Sequence, residues 1–596
     1  MNELRIVGVR SSDIDLKTSQ KTEMNQATDT FSAAMDSSAE TFLARLAERG
    51  VKYVFANAGT DFAPIIEAVA RSGGGGRFPR FVTCPHENLA MGMANGYYRI
   101  AGIPAAVMVH VTVGTANTIC ALMNMARDNV PVVLCAGRSP ATEYGHIASR
   151  NGAIHWGQES FDQGGMLREY VKWDYELRAG QPIGALVDRA LDIAMSEPRG
   201  PVYLCLPREA LADETIPMRR PNIRPLGATP AEPPQKEIDK IAQIVGKAEY
   251  PLIVTSGLGR TAEAFEALSS LCNEHAIPVV QVTASDLNLP TDHPMHLGFG
   301  ADPNPHMQQA DVLVVVNSGV PWMPRTAKPK PSTKVIHIGI DPLVSRHPFR
   351  EFEADMLVAG EPVAAIRMLH EALGRGTMMP HHARRGAISA ARDESRKSRE
   401  ALIEQVKDQS PIHPAWFAHC INEAKSEDAI IVNELGTSPA RLTLTKPLSY
   451  MGTSLAGGLG VALGSGLGAK LAAPDRDVVV VVGDGSYMFG NPTPYHFVQR
   501  SENLPTLTII ANNHSWLAVK MSALDVYPSG AASKANSMPI QDLNPSPAFE
   551  KVAEASGGYG ESVTRSDELP SAMRRAFDKI RSGTPALLNV HTQARR

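Results

Sequence analysis

Two short polar segments carry the side chains best suited to chemistry. Gly483-Asp484-Gly485-Ser486 follows the apolar run Val478–Val482, and after the twenty-six residues 486–511 a second apolar run ends in Asn512-Asn513. This spacing predicts two strands whose C-terminal ends bring Asp484, Asn513 and the backbone carbonyl of Ser515 together, at the edge where open α/β sheets bind ligands. A carboxylate, an amide oxygen and a carbonyl are hard donors that suit Mg²⁺, which completes its octahedron with water and phosphate oxygens. Gly483 and Gly485 let backbone approach a phosphate. Asn433-Glu434-Leu435-Gly436-Thr437-Ser438 offers glycine and hydroxyls at another strand-to-helix turn, again suited to phosphate. Alone, Gly-Asp-Gly is also an ordinary turn, and Thr437 or Ser438 would serve as a helix N-cap. The preceding strand, the paired asparagines and the spacing favour the metal site.

Other candidates read less sharply by themselves. Glu87, in Cys84-Pro85-His86-Glu87-Asn88, opens a small-residue helix at Ala90–Gly96, where an acid commonly serves the helix dipole. His110 ends a predicted strand and either caps local backbone or moves protons. Lys520 reads as a solvated lysine or as the partner of an acid. His381-His382 are adjacent, and adjacent side chains converge poorly on one ion. Cys84, Cys120, Cys135, Cys205, Cys272 and Cys420 form no CxxC pair, which argues against a zinc site or a disulfide framework and suits a reducing cytoplasm.

The elements that must position these groups alternate strand and helix. Strands are predicted at Tyr53–Ala56, Phe81–Thr83, Ala105–Val109 and Pro131–Ala136, with the unit closing near Val202–Leu206. A second set runs through Leu252–Thr255, Pro278–Val282, Val312–Val316 and Val335–Ile340, and a third through Ala429–Asn433, Val478–Gly483, Thr506–Ala511 and Ala586–Val590. Such alternation implies parallel sheets covered on both faces. The fold class is therefore α/β, three consecutive doubly wound parallel-sheet domains. Their expected bounds are 37–212, 236–375 and 411–596, after a mobile extension over 1–36 and joined by a Pro-rich linker at 213–235 and a charged helical connector at 376–410.

A chain of 596 residues exceeds one core. With 43% hydrophobic and 20% charged residues and a net charge of −4, it reads as globular, with no electrostatic reason to bind nucleic acid or an anionic membrane. No apolar leader or run of membrane-spanning length is visible.

The pattern GDGS, twenty-six residues, NN resembles the signature of the thiamine-diphosphate enzymes related to acetohydroxyacid synthase, benzoylformate decarboxylase and pyruvate decarboxylase. That resemblance covers roughly residues 38–594 and implies domains in the order pyrimidine-binding, middle, diphosphate-binding. It implies thiamine diphosphate and Mg²⁺ as cofactors, with the metal on Asp484, Asn513 and the Ser515 carbonyl. Gly436, Thr437, Ser438, Gly485 and Ser486 would meet the diphosphate, and Glu87 would be the carboxyl that activates the aminopyrimidine. Gly457-Gly458-Leu459-Gly460 resembles the turn where the cofactor bends, with Leu459 between its rings and the Gly457 carbonyl on the 4′-amino group. Without the family likeness, such a glycine run reads as tight packing.

On the substrate side, His110 and the turn Asn57-Ala58-Gly59-Thr60 resemble benzoylformate decarboxylase, with Thr60 in place of a substrate-binding serine. Gln158, Trp516, Val519 and Lys520 are implied pocket residues. The stretch Asn317–Pro324 departs from that decarboxylase in having no histidine. The resemblance implies carbon–carbon cleavage or formation next to a carbonyl, on a 2-oxo acid and through an enamine, by a decarboxylase or an acetolactate-synthase-like carboligase. Alternatives are a 2-hydroxyacyl-CoA or acyloin lyase, or a non-catalytic nucleotide-binding homologue. FAD in the middle domain is known in some relatives, but Ser256-Gly257-Leu258-Gly259-Arg260 is not a GxGxxG and does not support it. Because Glu87 and the GDG motif lie in different domains, a homodimer or homotetramer is expected.

Overall fold

The computed structural model describes residues 36–74, 76–218, 224–283, 285–300, 305–376, 382–535 and 537–594. Apart from its last residue, the extension expected over 1–36 lies outside them. The first sheet comprises β1 (Tyr53–Ala56), β2 (Arg80–Thr83), β3 (Ala105–Val109), β4 (Val132–Arg138), β5 (Asp174–Glu176) and β6 (Val202–Pro207). The second comprises β7 (Pro251–Thr255), β8 (Val279–Gln281), β9 (His296–Phe299), β10 (Val312–Val316), β11 (Lys334–Gly339) and β12 (Met356–Ala359). The third comprises β13 (Ile430–Glu434), β14 (Tyr450–Met451), β15 (Val478–Gly483), β16 (Leu507–Asn512), β17 (Tyr559–Val563) and β18 (Ala586–His591).

Every ladder between these strands is parallel. The first and third sheets share one order, β2-β1-β3-β4-β6-β5 and β14-β13-β15-β16-β18-β17. The middle sheet differs, running β12-β11-β10-β7-β8-β9. The outer two domains are thus one topology used twice, with no sequence repeat to announce it.

Both faces of each sheet are covered, as apolar strands require. In the first sheet Val107 and Val109 face one core while Ala106 and Met108 face another. The first of these cores also holds Val480, Val482, Leu463 and Leu467, so the first and third domains share it. Two helices make that junction, Glu87–Ala101 and Val461–Ala472, and their crossing is lined by glycine at spacing four. A Cβ on Gly92 would lie 3.0 Å from the Gly464 Cα, and one on Gly96 or Gly468 would overlap the Ser465 or Met93 carbonyl. Backbones therefore meet directly, and Asn95 Nδ2 donates to Ser465 Oγ across the contact at 2.9 Å.

A buried ionic knot ties in the middle domain. Arg99 and Arg260 both donate to Asp286, at 2.7 and 3.2 Å, while the Ser454 hydroxyl donates to Asp128 at 2.9 Å. Burial pushes the Asp286 carboxyl up, but the two guanidiniums outweigh it and hold the group at about 2. The charged connector is a helix, His382–Val406, mostly exposed but anchored by Arg384 on the Ala276 and Glu249 carbonyls.

Candidate active site

The candidate residues gather on the C-terminal edges of the first and third sheets. In the third, Asp484 follows β15 and is 2% exposed, with its Oδ2 buried and without a hydrogen-bond partner. Burial raises its pKa, and the Gly485 and His514 amide groups oppose the shift. A buried, unpartnered carboxylate oxygen is what a cation would satisfy. Asn513 Oδ1 accepts from the Ser515 amide and hydroxyl at 3.1 and 2.8 Å, and His514 between them has φ 58, so the chain after β16 doubles back on itself.

Gly485 lies against the Trp516 ring, where a Cβ would overlap the indole. Ser486 is buried beside it. After β13, Asn433 holds the turn by donating to the Thr437 carbonyl and accepting from the Thr437 amide. A Cβ on Gly436 would lie 2.6 Å from the Val481 carbonyl carbon. Thr437 Oγ1 is buried without a partner, and Ser438 precedes a short 3₁₀ turn without capping it. Neither hydroxyl is used as an N-cap, which leaves Thr437 an unspent donor for a phosphate oxygen. The residues present fit a metal-bound diphosphate.

The Gly457–Gly460 turn is held from two sides. Asn124, in the first domain, donates to the Gly458 carbonyl at 2.7 Å and accepts from its amide at 3.0 Å. Glu434 accepts from the Gly460 and Ala462 amides at 2.6 and 2.9 Å, filling the N-terminus of the Val461–Ala472 helix. Gly457 and Gly460 have φ 68 and 80, conformations that only glycine takes without strain. Leu459 is half-buried on this turn, the Gly457 backbone is exposed, Val519 is exposed and Lys520 half-buried.

On the first sheet, Glu87 begins its helix after β2 and accepts from Asn117 Nδ2 at 3.1 Å. His110 follows β3 and occupies an N-cap position, but its side chain makes no cap bond. Its Nδ1 instead meets Asp61 Oδ1 at 2.5 Å, and its Nε2 meets Gln158 Nε2 at 3.0 Å. The Asp61 carboxylate raises the His110 pKa above its ordinary value, against the opposing effect of burial. Gly59 is required here because a Cβ would overlap the His110 ring. Val111, a β-branched residue, is held at φ 28, a strained conformation next to the imidazole. Thr60 is exposed and lies 3.4 Å from His155 Nε2.

Two groups thus assemble: Thr60, Glu87, His110 and Gln158 on the first sheet, and the Asp484, Asn513 and Thr437 set on the third. Among the described residues, no hydrogen bond or ion pair within the chain joins the two. Sequence reasoning missed Asp61, His155, Asn117, Asn124 and Glu434. Only Glu434, an acid ending an apolar strand, carried a visible signal. A cavity of about 290 Å³ lies elsewhere, at the ends of β7, β10 and β11, with Asn317 and His337 in its wall. It contains none of the residues just described, so its size is no guide to the chemistry.

Three family models match. Residues 37–166 match the thiamine pyrophosphate enzyme N-terminal TPP binding domain, 238–369 the central domain, and 435–590 the C-terminal TPP binding domain. Over 582 residues the chain is 26% identical to the acetolactate synthase large subunit of Mycobacterium tuberculosis, covering 95% of this chain and 97% of that one. It is also 26% identical to acetolactate synthase isozyme 3 large subunit of Escherichia coli, covering 93% and 95%. The fold is similar to the thiamine diphosphate-dependent 4-hydroxybenzoylformate decarboxylase of Rhodococcus jostii RHA1, with TM-score 0.75, 22% identity, and coverage of 94% and 100%. It is similar as well to the benzoylformate decarboxylase of Polynucleobacter necessarius, with TM-score 0.74, 17% identity, and coverage of 94% and 99%.

Proposed function

This chain belongs to the thiamine pyrophosphate enzymes, and from that premise we propose that it decarboxylates a 2-oxo acid, with Mg²⁺ anchoring the cofactor diphosphate on Asp484, Asn513 and the Ser515 carbonyl. Thr437 and the Gly485-Ser486 helix start complete the anchor, and Glu87, its carboxylate fixed by Asn117, is the group for the pyrimidine ring. The Asn124 and Glu434 bonds hold the Gly457–Gly460 turn, where Leu459 would meet the rings. Bound there, thiamine diphosphate supplies the nucleophilic carbon and the electron sink for breaking a bond next to a carbonyl.

The observation that carries the substrate reading is the Asp61–His110 pair beside the exposed Thr60 hydroxyl. A cationic imidazole suits a substrate carboxylate, and after CO₂ leaves it is placed to return a proton. Gln158 Nε2 stands 3.0 Å from the outer ring nitrogen, a neighbour that a cationic ring, donating from both nitrogens, would exchange for the substrate oxygen. Trp516, Val519 and Lys520 are the candidates to line the approach from the third sheet. A second reading, carboligation with a second 2-oxo acid or an aldehyde, is supported by the acetolactate synthases that align with over nine-tenths of the chain.

Large exposed side chains adjoin both residue groups. Tyr144, Ile147 and Phe161 lie in the loop that carries Gln158, and Tyr527 and Ile540 follow Lys520. Apolar surface of this kind marks an interface, and a homodimer or dimer of dimers would pair the first-sheet group of one copy with the third-sheet group of another.

The test is CO₂ release from a panel of 2-oxo acids, with and without acceptors, by protein whose melting temperature rises on adding thiamine diphosphate and Mg²⁺. Release without an acceptor supports the decarboxylase, and ligated product supports the second reading. Cofactor binding with no turnover of any 2-oxo acid overturns both. Light scattering that finds an active monomer would overturn the assembly.

A further inference from the structure

The middle-domain stretch Asn317–Pro324 supplies no histidine, yet the first sheet supplies a second one. His155 sits in the long loop between β4 and β5, is 3% exposed, and turns its Nε2 toward Thr60 Oγ1. Its other nitrogen is spoken for: the Asn151 backbone N–H donates to His155 Nδ1 at 3.2 Å. A neutral imidazole whose Nδ1 accepts must carry its proton on Nε2. Nε2 is therefore the donor and Thr60 Oγ1 the acceptor.

The loop is clamped in this register by Arg208, 5% exposed, which donates to the Ala148 and Ser149 carbonyls at 2.9 and 2.5 Å and to the Thr60 carbonyl at 3.4 Å. Burial, then the Arg208 and Arg150 guanidiniums, lower the His155 pKa and so favour the neutral ring. Its neighbour His110 is shifted the opposite way, and two imidazoles driven apart mark a division of labour.

We propose that His155 is a positioning residue: the chain Asn151 N–H to His155 to Thr60 runs in one direction, so the Thr60 hydroxyl proton is turned outward as a donor to an anionic oxygen of the substrate. The substrate identity rests on the 2-oxo acid reading; the direction of the chain does not. His110 then handles protons, and Thr60, set by His155, holds the carboxylate.

A double-mutant cycle tests it. With a 2-oxo acid that the holoenzyme turns over, His155→Leu and Thr60→Val should each raise KM about ten-fold, the loss of one hydrogen bond to a charged group, with kcat little changed. The double variant should be no worse than Thr60→Val. His155→Gln, whose amide offers an acceptor and a donor in the same sense, should restore most of the affinity. Multiplicative effects in the double variant, or His155→Gln failing as His155→Leu does, would overturn the proposal.

A second readout is free of activity. Nitrogen-15 spectra of histidine-labelled protein, with the His155 signal assigned by its loss in His155→Gln, should show the Nε2–H tautomer at neutral pH. An Nδ1–H tautomer or a charged ring overturns the proposal even if no 2-oxo acid is a substrate. Conversely, the Nε2–H tautomer in an enzyme inert to 2-oxo acids sinks the proposed function and leaves the donor direction standing.

Discussion

Chemistry on the first sheet depends on second partners that hold a few side chains. Glu87 is oriented by Asn117, and His110 by Asp61. Glu87→Gln should therefore leave the cofactor-induced rise in melting temperature intact while turnover falls by about a hundred-fold or more; unchanged turnover would remove Glu87 from the site. The Asp61–His110 pair makes a signed prediction. Because the folded pKa of His110 is raised, the charged pair and its stabilisation are complete below the ordinary imidazole value and are lost as the pH rises through the raised one. A cationic His110 acting on substrate should thus lose kcat/KM on the alkaline side. Asp61→Asn should move that limb to lower pH, and a pH–rate profile with an unmoved limb would show that His110 acts uncharged or not at all. His110 could be picked from the sequence because it ends a predicted strand, and Glu87 because the segment Cys84–Asn88 at a helix start resembles the family's. Asp61, directly after the turn Asn57-Ala58-Gly59-Thr60, looks like an ordinary turn residue and could not.

Among the elements, interior strands were legible, and of the edge strands only β2 was. β6 is anticipated only as the segment closing the first unit. The other strands passed over, β5, β9, β12, β14 and β17, all lie at sheet edges. Interior strands such as β10 and β15 are buried on both faces and read as near-continuous runs of valine. Edge strands such as Asp174–Glu176 and Met356–Ala359 are half-exposed and carry no such run. The helix pair Glu87–Ala101 and Val461–Ala472 shows a different kind of hidden information. Gly464 and Gly468 look permissive in sequence, but in the fold each faces backbone of the other helix. Gly96→Leu should force that crossing apart and cost about 1–3 kcal/mol, the usual range for overpacking. Chemical denaturation would measure it, and a loss below a few tenths would mean that the crossing is loose.

For the whole molecule, the decisive feature is how three sheets are locked together. Asp286 of the middle domain is buried between the buried Arg99 of the first and the part-buried Arg260 of its own. Asp286→Asn would leave the buried Arg99 and the part-buried Arg260 short of an anion and should cost about 3 kcal/mol. The pH dependence has the opposite sign to that of His110. With a folded pKa of about 2, the Asp286 contribution is present above the ordinary carboxylate range and is lost as the pH falls toward 2. Thermal melts between neutral and acidic pH should show the variant losing less than the parent over that interval. Equal losses would place the acid sensitivity elsewhere.

By itself the sequence determined the sheet interiors, the α/β class and the family signature, because each is written in contiguous residues: a valine run, a Gly-Asp-Gly, a pair of asparagines at fixed spacing. Tertiary structure alone decided that the first and third domains share one strand order, that Asp61 meets His110 while His155 meets Thr60, and that Asn124 and Glu434 grip the Gly457–Gly460 turn. Those facts join positions tens to hundreds of residues apart. Local pattern records what a segment buries, and it carries no mark of which distant side chain completes the bond.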